Sequence, residues 1–90
     1  MTDANTYFNR GVAHDELGEY EKAISEYNKA IELERFSARA FYLRGLIYLD
    51  QGNVQAAISE LSAAIRYGQL TDPETRVDAI RQLVRIRSRR

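Results

Sequence analysis

Residues 9–31 read NRGVAHDELGEYEKAISEYNKAI, and residues 43–65 read LRGLIYLDQGNVQAAISELSAAI. Arg-Gly, a second Gly, Ala-Ile-Ser-Glu and Ala-Ile fall at matching places in the two runs, so the chain is first of all an internal repeat. Laying 4–37 over 38–71 needs no gap and sets an offset of 34 residues, with Gly11 on Gly45, Gly18 on Gly52, Ala23 on Ala57, Ile24 on Ile58, Ala30 on Ala64 and Ile31 on Ile65. Where identity fails, size holds: Tyr7 meets Phe41 and Tyr27 meets Leu61.

The period inside each unit is helical. Tyr7, Gly11 and His14, like Phe41, Gly45 and Tyr48, recur at spacings of three and four and share one face of a first helix. Gly18 and Gly52 follow where the pattern stops, as residues able to take positive φ at a helix C-terminus. A second stripe comes next: Tyr20, Ala23, Ile24, Tyr27, Ala30 and Ile31 in one unit, Val54, Ala57, Ile58, Leu61, Ala64 and Ile65 in the other. Each unit is therefore read as a helix pair, antiparallel because the linker is short.

TDPETR, from Thr71, opens a fifth helix, either through a Thr71–Glu74 capping box or with Asp72 as cap and Pro73 at the first helical position. Val77, Ile80, Leu83 and Val84 share one arc and are expected to dock, leaving Asp78, Arg81 and Arg85 wetted. The predicted units are 4–37, 38–71 and a capping helix with a basic tail over 72–90. Two pairs and a cap are near the minimum that folds alone.

These residues resemble the tetratricopeptide repeat, whose signature of an aromatic, Gly, an aromatic, Ala and a large residue is met by Tyr7, Gly11, His14, Ala23 and Tyr27, then by Phe41, Gly45, Tyr48, Ala57 and Leu61. Arg10 and Arg44 depart from the usual Leu, and Arg35 and Gln69 stand where a proline between repeats is common. The resemblance implies an all-α fold, a right-handed superhelical stack of antiparallel helix pairs with about five helices. It also implies a protein–protein interaction module that takes a peptide or partner helix in a concave groove lined by the first helix of each pair. On a helical projection the groove residues are Asn5, Phe8, Asn9 and Val12 in the first unit and Arg39, Tyr42, Leu43 and Leu46 in the second. Some members grip a terminal carboxylate with Lys, Asn and Arg from three consecutive units. YFNRG resembles the middle unit of that clamp, with Asn9 at its Asn and Arg39 as a following base. Leu43 stands in the place of the second base, so a complete clamp is not expected.

Composition narrows the alternatives. Thirteen basic and thirteen acidic residues give a formal net charge of zero, so no whole-chain field selects nucleic acid or an anionic membrane. Residues 1–37 hold eight acids against four bases, whereas 71–90 hold three acids against six arginines. Arg81, Arg85, Arg87, Arg89 and Arg90 suit an acidic partner, but no aromatic in that tail would stack on a base. Glu19, Glu21, Glu26 and Glu32 form an acidic face that such arginines would meet in a head-to-tail homo-oligomer. The absence of cysteine removes disulfides and thiol chemistry, and fits a cytoplasmic setting. The most apolar window, Ala40–Leu49, is half the length of a membrane span and is interrupted by Arg44. His14, the lone histidine, is read as a half-buried ring in a Tyr-like place, with no metal-ligand spacing around it. Asp15, Glu16, Glu19 and Glu21 form no nucleophile–base set, so neither catalytic residues nor a cofactor are expected. The helix Ala38–Asp50 is apolar on nearly every side, which places it mid-stack and leaves Tyr42 and Leu46 either open for a partner or covered by another chain.

Overall fold

The structure, a computed structural model, describes residues 2–88. Five helices follow one another: α1 (Ala4–Glu16), α2 (Tyr20–Leu33), α3 (Ala38–Asp50), α4 (Val54–Thr71) and α5 (Pro73–Ser88). Each packs on its neighbour in sequence, and α3 also touches α5, giving an all-α helical repeat.

Side-chain oxygens start four of the helices. Asp3 accepts from Thr6 N at 2.9 Å, Ser37 from Ala40 N at 3.4 Å, Asn53 from Ala56 N at 3.2 Å and Asp72 from Thr75 N at 3.2 Å. The turns inside the pairs close the same way twice. Gly18 takes φ 76° and Gly52 φ 81°; Glu19 N donates to His14 O and Asn53 N to Tyr48 O, both at 2.8 Å. This six-to-one bond beside a left-handed residue is the Schellman ending that the two glycines announce.

The repeated Arg-Gly and Ala-Ile-Ser-Glu segments meet across each helix pair. A Cβ placed on Gly11 would lie 2.5 Å from Tyr27 Cε1, and one on Gly45 would lie 3.1 Å from Glu60 Cβ and 3.3 Å from Leu61 Cγ. Beside these close approaches, Arg10 faces Glu26 at 3.9 Å, and Arg44 donates to Glu60 at 2.9 Å and to Asn28 at 2.6 Å. The two arginines that depart from the family's Leu are thus paired with the repeat's own glutamates, and each lies over its unit's aromatic, Arg10 on Tyr7 and Arg44 on Phe41. Glu60 still has its pKa raised, because burial outweighs the Arg44 charge.

α4 runs through Gln69, where a proline between repeats is common, to Thr71, whose hydroxyl donates to Tyr67 O at 3.0 Å; of the two starts the sequence allows for α5, Asp72 is the cap, with Pro73 at the first helical position. One feature differs from the sequence reading: the docking stripe of α5 keeps Leu83 but is rotated from the expected arc. Val77 and Val84 are 43% and 54% exposed, while Thr75 and Ala79 are buried, with Leu83 and Ile86 packed beside Leu61 and Ala64. Small residues win this face because α5 approaches α4 closely at Gly68, where a Cβ would stand 3.2 Å from Arg76 Cβ and 3.4 Å from its backbone nitrogen.

Gly11→Ala forces a methyl into the buried Tyr27 ring and should cost about 2 kcal/mol in urea unfolding. Gly45→Ala should stay within about 1 kcal/mol of the parent, since improved helix propensity offsets a milder crowding. Equal stabilities for the two variants would refute the tight ring contact. Arg44 and Glu60 side chains are only 16% and 13% exposed, against 54% for Arg10, so Arg44→Ala should cost about 3 kcal/mol and Arg10→Ala less than about 1 kcal/mol.

Candidate peptide-binding face

The first helix of each pair carries the predicted groove residues. On α1, Asn5 and Asn9 are exposed and Phe8 and Val12 half-buried; on α3, Arg39 is exposed and Tyr42, Leu43 and Leu46 are half-buried. Phe8, Val12 and Leu43 converge on the buried cluster of Ala23, Tyr27 and Ile47, with the Phe8 and Tyr27 rings 5.7 Å apart. Tyr42 instead packs on the cluster of Leu61, Ala64 and Ala79. That contact with α4 and α5 leaves the ring half-buried.

Three of the eight residues share a depression. Asn5, Phe8 and Arg39 line a cavity of about 250 Å³ together with Ala4, Ala30, Glu34 and Ser37. Arg39 Cζ lies 6.0 Å from the Phe8 ring centroid, and its guanidinium makes no ion pair among the described residues. Asn9, Val12, Tyr42, Leu43 and Leu46 do not reach this wall. Projecting only the first helices misses Glu34 and Ser37, which come from the segment between α2 and α3. The signal for Ser37 is its place as a helix cap, which fixes it two residues before Arg39.

Beneath this face lies a polar group without a partner. Tyr27 is fully buried, and among the described residues its Oη has no hydrogen-bond partner of bonding geometry, although the Asp15 carboxyl stands beside it. Burial first, and then Asp15, push the Tyr27 phenol upward. Burial likewise raises Asp15, with Asp50 and Glu16 adding to the effect and Tyr27 opposing it. Asp50 accepts the Tyr20 hydroxyl at 2.6 Å, tying the start of α2 to the end of α3.

His14 is half-buried, as its place opposite Tyr48 implies, and shares a 2.8 Å hydrogen bond with Glu19. Glu19 precedes α2 without capping it, in the place where Asn53 caps α4; its carboxylate serves His14 and Lys22, and the His14 bond chiefly lowers its pKa. No group of three metal-ligating side chains exists among the described residues. The acidic face expected on α2 is smaller than its sequence suggests, because Glu26 is 13% exposed and turned toward Arg10 and Lys29. At the other end Arg85 and Arg87 are exposed, and Arg81 lies 3.9 Å from Asp78; the expected contribution of Arg89 and Arg90 falls outside the described residues. Among the described residues no helix is long and apolar enough to cross a membrane.

Comparison with known families agrees with this architecture. A family model described as "TPR repeat" matches residues 15–52 and one described as "Tetratricopeptide repeat" matches 38–67. The chain belongs to the tetratricopeptide repeat family. Repeats of this family generally mediate protein–protein interaction and are typically non-enzymatic. No match was found among curated proteins.

Asp15→Asn should stabilise the fold near neutral pH, because it removes a desolvated charge close to Asp50 and Glu16. A raised folded-state pKa means that Asp15 favours the fold most when protonated, below the ordinary carboxylate value of 3.8, and loses that contribution as pH rises through its higher folded value. The thermal midpoints of parent and variant should therefore diverge on going from pH 3 to pH 7, with the variant higher; a constant gap would contradict the burial argument.

Proposed function

We propose that the chain is a non-catalytic cytoplasmic interaction module that binds a peptide or partner helix across the face of α1 and α3. In this reading 4–37 and 38–71 are its two units and 72–90 its cap, and the ligand runs over Asn5, Phe8, Asn9, Val12, Arg39, Tyr42, Leu43 and Leu46. The observation that carries the reading is Arg39, an exposed guanidinium with no ion-pair partner among the described residues, held above a half-buried aromatic ring at the edge of a cavity that also presents Asn5 and Ser37. A cation beside an apolar wall and neutral hydrogen-bonding groups suits an acidic group, side chain or chain terminus, that follows an apolar residue in an extended or helical ligand. The half-buried Phe8, Val12, Leu43 and Leu46 supply area without much motion, since three of them rest on the first core cluster. Glu34 on the same wall disfavours a doubly acidic group by like-charge repulsion.

A fluorescence-anisotropy screen of short labelled peptides with one acidic position, each made with a free and an amidated C-terminus, tests this. Bound peptides should lose about tenfold in affinity on Arg39→Ala, a typical loss for a central charged contact, and less on Asn5→Ala. Phe8→Leu keeps the core filled and should weaken binding without unfolding the chain. Affinities indifferent to Arg39→Ala would remove this face from the reading.

A further inference from the structure

The cleft between α4 and α5 shares no lining residue with the cavity at Arg39 and differs from it in chemistry. Ile58, Ile65, Ile80, Leu83, Val84 and Ile86 wall about 310 Å³, and Arg87 is the lone charged residue in that wall. Along its lip α5 presents a seam, with exposed Val77 and Val84 one heptad apart and half-buried Ile80 between them. These residues are the apolar arc of α5 that does not serve as its docking stripe.

The charges on α5 indicate what covers this seam. Its first half is net acidic, with Glu74 and Asp78 flanking Arg76, whose Cβ lies against Gly68 of α4; its second half is basic, with Arg81, Arg85 and Arg87. Asp78 and Arg81 face each other at 3.9 Å, whereas Glu74, Arg85 and Arg87 make no ion pair among the described residues. A helix that is apolar along one seam and carries opposite charges at its two ends is complementary to itself when reversed. Parallel pairing would set acid on acid and arginine on arginine.

We infer that a second copy of this chain docks on the α4–α5 cleft, with the two α5 helices antiparallel about a twofold axis. Val77 of one copy then meets Val84 of the other, and Glu74 meets Arg87. The twofold repeats both contacts, as an isologous interface requires. Of the acids on and beside α2, Glu26 is turned inward and Glu19 is engaged by His14 and Lys22, which leaves Glu21 and Glu32 as the exposed competitors for the same arginines. The dimer leaves the Arg39 site on each copy, so a bivalent ligand would gain from it by effective concentration.

Sedimentation equilibrium of the 10.4 kDa chain from about 10 μM to 1 mM tests the inference directly. The expected result is a reversible dimer whose dissociation constant rises at least tenfold on Val84→Glu, a site exposed enough that helicity by circular dichroism should be unchanged. Glu74→Arg and Arg87→Glu should each weaken the dimer, and the double reversal should restore it. Arg39→Ala should leave it intact, which separates this interface from the proposed peptide site. A monomer across the whole range, a dimer that Val84→Glu does not weaken, or a double reversal that fails to rescue would each overturn the antiparallel α5 pairing.

Discussion

Everything in this small chain depends on how closely the backbone of α1 approaches the Tyr27 ring. Gly11 presents no side chain there, and a Cβ would fall 2.5 Å from the ring. The contact sets the spacing of the first helix pair, buries Tyr27 completely and aligns Phe8 against it. It also leaves the Tyr27 hydroxyl enclosed with Asp15, so the packing that holds the pair together buries a polar group without a hydrogen-bond partner among the described residues. The second pair reaches the same approach more gently, with Leu61 beneath Gly45 in place of a phenol.

The two units also solve the same problems with different chemistry. Where α4 starts on an Asn53 cap, α2 starts on Glu19, whose carboxylate is occupied by His14 in the place of Tyr48. Where Arg44 is nearly enclosed between Glu60 and Asn28, Arg10 lies open beside Glu26. The inner unit bears the buried ion pair because α3 is packed by neighbours on several sides, whereas α1 has only α2 against most of its length. Burial strengthens the attraction of such a pair and also raises the desolvation cost of its carboxylate, so the repeated charges specify the pairing of helices more than they stabilise it.

Packing by small residues explains the last helix as well as the first. Gly68, Thr75 and Ala79 let α5 sit close to α4, and the side chains that a hydrophobicity pattern would assign to that contact, Val77 and Val84, are turned outward. This geometry separates two surfaces of different character. One mixes Arg39, Asn5 and Ser37 with an aromatic ring, while the other is almost wholly aliphatic. In the proposed function, selectivity for a charged ligand would rest on the first surface, because a lone guanidinium over an apolar wall discriminates by charge where aliphatic area cannot.

The sequence by itself determined the helix pairs, their 34-residue period, the left-handed turns at Gly18 and Gly52, and the central position of α3, because these rest on local spacing and on residues with few conformational choices. It also placed Phe8, Val12 and Leu43 on one side of their helices, since a helical face follows directly from the residue interval. Only the tertiary structure decided which apolar arc of α5 docks, how far α4 runs past Gln69, which cluster Tyr42 packs on, and that Glu34 and Ser37 join Asn5, Phe8 and Arg39 around one cavity. Those outcomes depend on how near two backbones come, and a one-dimensional pattern of apolar residues carries the direction of a face but not the distance at which it meets its neighbour.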